Sequence, residues 1–261
     1  MRYFMIFLLL NVYSLGFEYH LKPYQITTGV ECFFGLQGEA KRENGGRVLN
    51  TCYIESDGAY IIIDSGPTYS YAQQAYHVMQ QKKALPIKYV INTSAKETHV
   101  LGNEFYKERG AVLIGPESYQ QLLENRGKTD LSKTLTKDTF SNTRMIPLDI
   151  YQNRDTTINI GKSKIEIKKF EDRDGKHLVV YIPKQKIIFV GEYLSLINDQ
   201  DISLRFEEIE SLSWRYIISA HGTKRHRADL KNSIKNRRNQ NVKKSLEHKK
   251  TDKDVVRYVF L

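Results

Sequence analysis

The segment "INTSAKETHVLGN", residues 91–103, joins an apolar run to a Gly-Asn pair. The run "LPIKYVINT" that leads into it is typical of a buried strand, and "GNEFYKERG" at its end predicts a short helix. A loop between the end of a strand and the start of a helix commonly presents side chains to a site. This loop presents a hydroxyl, an ammonium, a carboxylate and an imidazole, on Ser94, Lys96, Glu97 and His99.

The sequence on either side alternates strands and helices. "AYIIIDSG", residues 59–66, is a continuous apolar run that ends in an acid and a glycine, and "TYSYAQQAYHVMQQKKA" has helical spacing. The second half contains the hairpin-like "TTINIGKSKIEIKKFE", a strand pair in "HLVVYIPKQKIIFVGEYL" and a helix and strand in "LRFEEIESLSWRYIISAHG". Two β-rich halves that each carry helices predict an α/β fold, a four-layered αββα sandwich. No Pro/Gly-rich linker interrupts residues 17–225, which we treat as one domain.

Residues 1–16 have the features of an export signal. One Arg precedes the apolar part of "MRYFMIFLLLNVYSLGF", and Ser14-Leu15-Gly16 matches the small-x-small pattern of a signal-peptidase site. A short N-terminal membrane anchor and a buried strand are the alternatives, although the segment is short for a membrane span. We therefore expect cleavage after about Gly16, and a mature protein that is periplasmic or secreted.

The two cysteines lie in strand-like runs joined by a polar segment. Cys32 is in "GVECFFG" and Cys52 is in "LNTCYIES". Neighbouring antiparallel strands bring such a pair within disulfide range, and an oxidising compartment would preserve the bond. Two buried free thiols are the alternative, because the sequence does not fix the register of the strands. The spacing does not match a zinc knuckle.

The formal net charge of +10 is concentrated near the C-terminus. Between residues 223 and 254, twelve Lys and Arg stand against four acids. We expect residues 226–261 to form a basic tail that is a solvated basic helix, and contact with an acidic partner or anionic lipid is the alternative. The tail has no aromatic residue before Tyr258, so it lacks the stacking platforms of a single-strand nucleic-acid binder.

Four short signals follow one another along the chain: "IIIDSG", "INTSAKETHVLGN", "VGEYL" and "ISAHG". Their order and spacing resemble the metallo-β-lactamase-fold hydrolases. That pattern runs from a strand ending in Asp-x-Gly, through a T-H-x-H-x-D-H loop and a Gly-Asp strand end, to a strand ending in His-Gly. Four sequence segments are similar to those of periplasmic quinoprotein-relay-type zinc metallohydrolases: "FEYHLKP", "NGG…NTCYI", "IDSGPTY" and "GNEFYKERGA…IGPESY". The resemblance covers nearly all of the mature chain and implies the αββα fold.

The resemblance also implies that the metal motif is degenerate. When the loop is aligned on Thr93, four positions that hold zinc ligands in the family carry other residues here: Ser94, Lys96, Thr98 and Arg173. Three of these replace histidines of the first zinc site, and Thr98 replaces an aspartate of the second. An ammonium or guanidinium cation has no lone pair to offer zinc. The first zinc site is therefore expected to be lost.

The second site keeps three residues of ligand type, namely His99, His221 and Glu192, which stands in place of the bridging aspartate. Two imidazoles and a carboxylate are an acceptable set for one zinc or iron(II) ion with open positions. The resemblance thus implies one possible activity, hydrolysis by water bound to a single ion. It also implies that Asp64, at the end of a buried strand, orients neighbouring groups.

A metal-free site is the interpretation that we place first. Without metals Asp64 and Glu192 would repel each other, and Lys96 and Arg173 supply positive charge that pairs with them. The chain would then be a catalytically impaired or inactive hydrolase homologue that binds a small anion such as a carboxylate or phosphate. Two further alternatives are a nucleophile–base pair of Ser94 and Lys96, and an accessory or scaffold role through the basic tail.

Overall fold

A computed structural model describes residues 16–124, 130–172, 175–193, 207, 209–232 and 234–236. Residues 1–15 of the expected export signal, Arg173 and residues 237–261 of the basic tail lie outside the described residues. In the part of the chain that is described, no helix is both long and apolar enough to cross a membrane. The export signal and the tail therefore stay predictions.

The described residues form two β-sheets, and the first has seven strands that lie side by side in the order of the sequence. Its first four strands pair antiparallel, and each of the last three runs parallel to the strand before it. The parallel pairs follow from the helices that lie between these strands in sequence. The strands are β1 (Tyr24–Thr27), β2 (Val30–Phe33), β3 (Thr51–Ser56), β4 (Ala59–Ile63), β5 (Ile87–Ile91), β6 (Val112–Pro116) and β7 (Ile150–Gln152).

The helices of this half cross between or follow the strands. A short 3-10 helix spans Arg42–Asn44. Thr68 caps the longest helix by accepting a hydrogen bond from the Tyr71 N–H, as its position before the helical pattern predicts. The α-helices are α1 (Tyr69–Lys82), α2 (Glu97–Val100), α3 (Asn103–Lys107), α4 (Tyr119–Glu124) and α5 (Asp130–Thr134).

The second sheet has six strands among the described residues, in the order β13-β12-β11-β10-β9-β8. Among the described strands of the second sheet, only β11 and β12 pair parallel. The segment between these two strands includes helical residues at 207 and 209–210. The strands are β8 (Thr156–Ile160), β9 (Ser163–Asp172), β10 (Gly175–Ile182), β11 (Ile187–Gly191), β12 (Tyr216–Ser219) and β13 (Arg225–His226).

Three apolar clusters separate four layers. Alternate residues of each strand face opposite sides, so Ile62 packs towards α1 while Ile61 and Ile63 pack towards the second sheet. On the far side of the second sheet, Val179 and its neighbours pack against Trp214 and Ile209. The predicted four-layered αββα sandwich is confirmed.

The structure contains elements that the sequence did not indicate. The segment 91–103, expected as an irregular loop, includes the single helical turn α2, and β7 and α5 also were not predicted. These elements are only three to five residues long, too short for hydrophobic periodicity to distinguish them. Structure continues past residue 225, since β13 includes His226 and Leu230 is buried at 2 % exposure in the third cluster.

Cys32 and Cys52 lie directly opposite each other on β2 and β3. Their Cα atoms are 4.1 Å apart, and the two residues form a disulfide. Both side chains are buried in the apolar layer between the sheets. The bond therefore joins two strands that end beside the polar cluster described next.

Candidate functional site

Asp64 and the loop after β5 meet at the ends of adjacent parallel strands. The Asp64 carboxylate accepts hydrogen bonds from the Thr93 backbone N–H and from the Thr93 hydroxyl, both at 2.7 Å. The same carboxylate lies 2.9 Å from Nδ1 of His99, whose side chain is fully buried. Asp64 adopts a positive φ of 59°, which turns the chain sharply where β4 ends. Asp64 thus contacts a hydroxyl and an imidazole at once.

The backbone of His99 is fixed by neighbouring polar groups. Its carbonyl oxygen accepts hydrogen bonds from the Ser65 backbone N–H at 2.8 Å, the Ser65 hydroxyl at 3.0 Å and the Asn92 side chain at 2.8 Å. The Asn92 side chain is held in turn by Asn103 at 2.8 Å. Because all these groups are buried, each of these bonds is costly to break. The His99 imidazole is therefore held in position both by the hydrogen bonds to its backbone carbonyl and by the contact of Asp64 with its Nδ1.

Glu192 follows β11 and enters the site from the second sheet. Its Oε1 lies 3.3 Å from His99 Nε2 and 3.1 Å from His221 Nε2. Gly191, with a φ of 52°, lets the chain approach Thr93 so closely that an added Cβ would lie 2.4 Å from the Thr93 hydroxyl. Only glycine tolerates both that contact and that backbone conformation at low cost. The "VGE" sequence therefore brings Glu192 onto the His99 imidazole.

His221 lies just after β12 and is the second imidazole that contacts Glu192 Oε1. Its Nδ1 lies 2.8 Å from the Val48 carbonyl oxygen, and its backbone carbonyl accepts a hydrogen bond from the Ser219 hydroxyl at 2.6 Å. Asn50 secures the same turn, since its side-chain amide donates to the carbonyl oxygens of Ser219 and Gly222. The imidazole is 37 % exposed, so it forms the solvent side of the site.

Lys96 reaches the other carboxylate oxygen of Glu192. Its Nζ lies 3.4 Å from Glu192 Oε2, and its side chain is 54 % exposed. One buried carboxylate thus has three cationic or potentially cationic neighbours, which are Lys96, His99 and His221. We call these three side chains with Asp64 and Glu192 the Glu192 cluster.

Both imidazoles of the cluster favour the protonated form, since each ring nitrogen faces an acceptor oxygen. Burial alone would lower the pKa of His99, but the charge and hydrogen bond of Asp64, together with those of Glu192, raise it to about 9. The hydrogen bond that His221 donates to Glu192 likewise raises the pKa of His221. Burial alone would raise the pKa of Glu192, but hydrogen bonds from both imidazoles and the charges of His99 and Lys96 hold it well below its usual value.

No protein-family model and no curated protein matches the sequence. Solved structures do match. A metallo-β-lactamase from Pontibacter korlensis has a TM-score of 0.62 at 16 % identity, over 82 % of this chain and 97 % of that one. The FIM-1 metallo-β-lactamase from Pseudomonas aeruginosa, in a mono-zinc form, has a TM-score of 0.61 at 17 % identity, over 82 % and 93 %. A metallo-β-lactamase from Hirschia baltica gives 0.58 at 17 % identity, over 82 % and 96 %.

The chain has the metallo-β-lactamase fold. At these identities the likeness shows the fold alone, and it agrees with the order of the two sheets and the position of the cluster at their ends. The expected membership of the fold is confirmed. The finer resemblance to quinoprotein-relay-type metallohydrolases and the degenerate metal motif stay predictions.

The positions that we expect from the sequence to be substituted ligands differ in their surroundings. Ser94 is buried at 3 % exposure, and its hydroxyl accepts a hydrogen bond from the Lys96 backbone N–H at 3.3 Å, so it faces the loop's own backbone. Thr98 is half-buried on α2. Glu97, presented by the same loop, accepts hydrogen bonds from the N–H groups of Asp130 and Leu131 at 3.1 and 2.9 Å and so caps α5. Arg173 lies outside the described residues.

The donor set fits a metal poorly as it is arranged. Among the described residues, no group of three or more His, Cys, Asp or Glu side chains is placed to hold a metal ion. The Nε2 atoms of His99 and His221 face Glu192 Oε1 at hydrogen-bond distances, and the Lys96 ammonium lies against the other oxygen. A cation would have to displace these contacts and approach a fixed positive charge. The assignment of His99, Glu192 and His221 to one zinc or iron ion stays a prediction.

Thr93, Gly191 and the Val48 carbonyl belong to the site but were not predicted as site residues. Thr93 bonds Asp64 and lies 3.3 Å from His99 Nδ1 through its hydroxyl. Its place at the end of an apolar run gave a usable signal, since polar residues at strand ends commonly serve sites. A backbone carbonyl such as that of Val48 has no sequence signature at all.

A cleft of about 660 Å³ opens beside His221. Its walls are the glycine-containing turns 35–38 and 219–223, and Arg225 lies at its edge. A space of this size accommodates a small organic molecule. The cleft is therefore lined by His221 of the Glu192 cluster and by a further cation, Arg225.

Proposed function

We propose that this protein is a catalytically impaired or inactive homologue of the metallo-β-lactamase-fold hydrolases that binds a small anion at the Glu192 cluster. The observation that carries the proposal is the engagement of Glu192 by His99, His221 and Lys96 at 3.1–3.4 Å. These contacts satisfy the carboxylate without a metal ion.

The charges of the cluster leave a positive surplus. With both imidazoles protonated, Lys96, His99 and His221 carry three positive charges against the two carboxylates of Asp64 and Glu192. His99 and Asp64 are buried and compensate each other, whereas Lys96 and His221 are partly exposed. The surplus therefore lies at the solvent side, where an anion would be attracted.

The hydrogen-bond donors near the Glu192 cluster indicate which class of anion would bind. The Lys96 ammonium has N–H groups to spare beyond its contact with Glu192, and the cleft adds the Arg225 guanidinium. Charge-assisted hydrogen bonds of this kind favour carboxylate or phosphate oxygens. A small carboxylate or phosphate bound here would bridge Lys96 and the His221 side of the cleft.

Isothermal titration calorimetry with inorganic phosphate and with acetate tests this proposal. We expect saturable binding at low ionic strength that Lys96→Ala weakens about 10-fold or more, because a charged hydrogen bond contributes about 1.5–3 kcal/mol. Lys88→Ala is the matched control, since Lys88 is an exposed cation on β5 without an ion pair among the described residues. Absence of binding to the wild type, or equal losses in the two variants, would overturn the proposal.

A mononuclear metal-dependent hydrolase is the second candidate. It is favoured by the way Asp64 and Val48 hold Nδ1 of the two histidines, which leaves Nε2 of both facing one carboxylate oxygen. Elemental analysis of the full chain purified with zinc present separates the candidates. One equivalent of zinc that is lost in His221→Ala would establish this candidate and sink the metal-free proposal.

We also propose that the protein is exported to the periplasm or secreted. The disulfide between Cys32 and Cys52 supports an oxidising compartment. The mass of the mature chain checks this proposal, which predicts an N-terminus near Phe17.

A further inference from the structure

One face of the domain carries the exposed Tyr24 and two half-buried aromatic side chains among cations that have no acidic partner in the described part of the chain. Lys224 Nζ lies 5.5 Å from the ring centre of Tyr24 and 5.1 Å from that of Tyr216. The Arg215 guanidinium lies 5.1 Å from the Tyr216 ring, and the Tyr24 ring contacts Phe34 at 5.5 Å between centres. These contacts make one continuous surface. We call it the aromatic–basic face, formed by Tyr24, Phe34, Arg215, Tyr216 and Lys224.

The face bridges the free edges of the two sheets. Tyr24 is on β1, the outer strand of the first sheet, and Tyr216 pairs with His226 on β13, the outer strand of the second. Lys224 links them, since its ammonium donates a hydrogen bond to the Ile26 carbonyl on β1 at 3.3 Å. The tertiary fold thus gathers residues from both ends of the chain on one surface.

The cations of this face have no acidic partner. Among the described residues, no carboxylate lies within 4.0 Å of a charged nitrogen of Arg215 or Lys224. Arg215 instead donates a hydrogen bond from its Nε to Nε2 of His226, at 3.3 Å. Unpaired cations held in place by aromatic rings favour an anionic partner.

Exposed apolar groups accompany these cations. Tyr24 is 53 % exposed and Leu36 is 46 % exposed, and Leu36 lies two residues beyond Phe34. Aromatic and aliphatic side chains beside Lys and Arg are the composition that settles at the boundary between lipid headgroups and acyl chains. Nucleic acid fits less well, because the Tyr216 ring has a cation on it from both Lys224 and Arg215, and base stacking needs an open ring face.

We propose that the aromatic–basic face docks the folded domain onto an anionic phospholipid surface. The Lys224 ammonium and Arg215 guanidinium would meet headgroup phosphates, and Tyr24 with Leu36 would enter the interfacial region. The five residues of this face are not members of the Glu192 cluster, although Leu36 also lines the cleft beside His221. The face is also separate from the tail beyond His226, although the helical residues 227–232 continue directly from its edge strand.

Cosedimentation of the full chain with vesicles tests the proposal. We expect the chain to bind vesicles of equal parts phosphatidylglycerol and phosphatidylcholine at low salt, and not to bind vesicles of phosphatidylcholine alone. Each cation near an anionic surface contributes about fivefold to the partition coefficient, so the double variant Lys224→Gln/Arg215→Gln binds roughly 20-fold more weakly. Tyr24→Ser weakens binding further.

Three controls keep the result specific. Lys88→Gln/Lys137→Gln removes the same charge from exposed positions outside the face and leaves most binding intact. Lys96→Ala also leaves it intact, which separates this proposal from the anion site. Circular dichroism spectra establish that each variant is folded.

Three outcomes would overturn the proposal. The first is no preference for vesicles with phosphatidylglycerol. The second is full binding by the face variants together with loss of binding in a tail variant, Arg237→Gln/Arg238→Gln. The third is tighter binding to a single-stranded oligonucleotide or to polyglutamate than to the vesicles.

Discussion

The inner and outer parts of the Glu192 cluster differ in burial and in the number of their polar partners. In the inner part, Asp64 and His99 are almost fully buried, lie 2.9 Å apart, and contact the buried Thr93 outside the cluster. In the outer part, Lys96 and His221 are 54 % and 37 % exposed. Removing a partner from a buried polar group costs far more than removing one from an exposed pair. We therefore expect the inner part to contribute mainly to the stability of the domain and the outer part mainly to anion binding.

The largest expected change in unfolding free energy follows from a substitution of Asp64, the carboxylate of the inner part. Asp64→Asn removes a charge that faces the buried His99 and weakens the two hydrogen bonds from Thr93. Breaking one side of a buried ion pair costs about 3–5 kcal/mol of unfolding free energy. Urea denaturation measures it. Asp130→Asn is the control, since that side chain is 91 % exposed and its change should cost less than about 1 kcal/mol. Equal losses would remove the distinction between the two parts.

The next effect is a dependence of stability on pH. The folded-state pKa of His99 is about 9, above the value of about 6.5 in an unfolded chain. Its protonation therefore stabilises the fold fully below about pH 6.5, and this contribution is lost as pH rises towards 9. We expect the unfolding free energy to fall over this range by an amount on the order of 2 kcal/mol. Denaturation at several pH values, with His99→Gln as the comparison, measures it. A slope unchanged in His99→Gln would contradict the assignment.

Gly191→Ala tests the approach of the second sheet to the inner part. The added Cβ would lie 2.4 Å from the Thr93 hydroxyl. Gly58→Ala is the matched control, because Gly58 also has a positive φ, 78°, but nothing lies within 4 Å of its Cβ position. We expect Gly191→Ala to cost about 1–2 kcal/mol more than the control, from overpacking. Similar melting temperatures for the two variants would show that Glu192 is not held by this close contact.

The smallest effect on stability is expected in the outer part. Lys96→Met removes a half-exposed cation that lies 3.4 Å from Glu192. An exposed ion pair contributes about 0–1 kcal/mol, so the unfolding free energy should change by less than about 1 kcal/mol. Loss of phosphate or acetate binding in the same variant would complete the contrast with Asp64→Asn. A destabilisation above about 2 kcal/mol would place Lys96 with the inner part.

Much of the fold was predictable because its signals are local. The apolar run that ends in Asp64, the helical spacing of α1 and the alternation in β8 and β9 each lie within one segment. A sheet strand or a helix of that length has a periodicity of its own. By contrast, β13 has two residues and α2 has four, and such short elements form only because neighbouring elements hold them.

The candidate site was predictable only in its residue types. Asp64, Lys96, His99, Glu192 and His221 were all selected from the sequence, but Thr93, Gly191 and the Val48 carbonyl were not. Hydrogen-bond partners that are distant in the chain leave no pattern around each residue. Lys96 is predicted as a partner of Glu192 from its charge and its place in the aligned loop, whereas the 3.4 Å between them is a property of the folded chain.

The sequence by itself determined the layers of the molecule, the order of the four strand-end signals and the residues available for chemistry, because these depend on composition and on spacing within single elements. Only the tertiary structure decided which of those residues meet. It placed Glu192 of one sheet against His99 of the other, and Lys224 between Tyr24 and Tyr216. The contacts of Glu192 with His99 and of Lys224 with Tyr24 join positions about a hundred and about two hundred residues apart, and long-range packing sets their geometry.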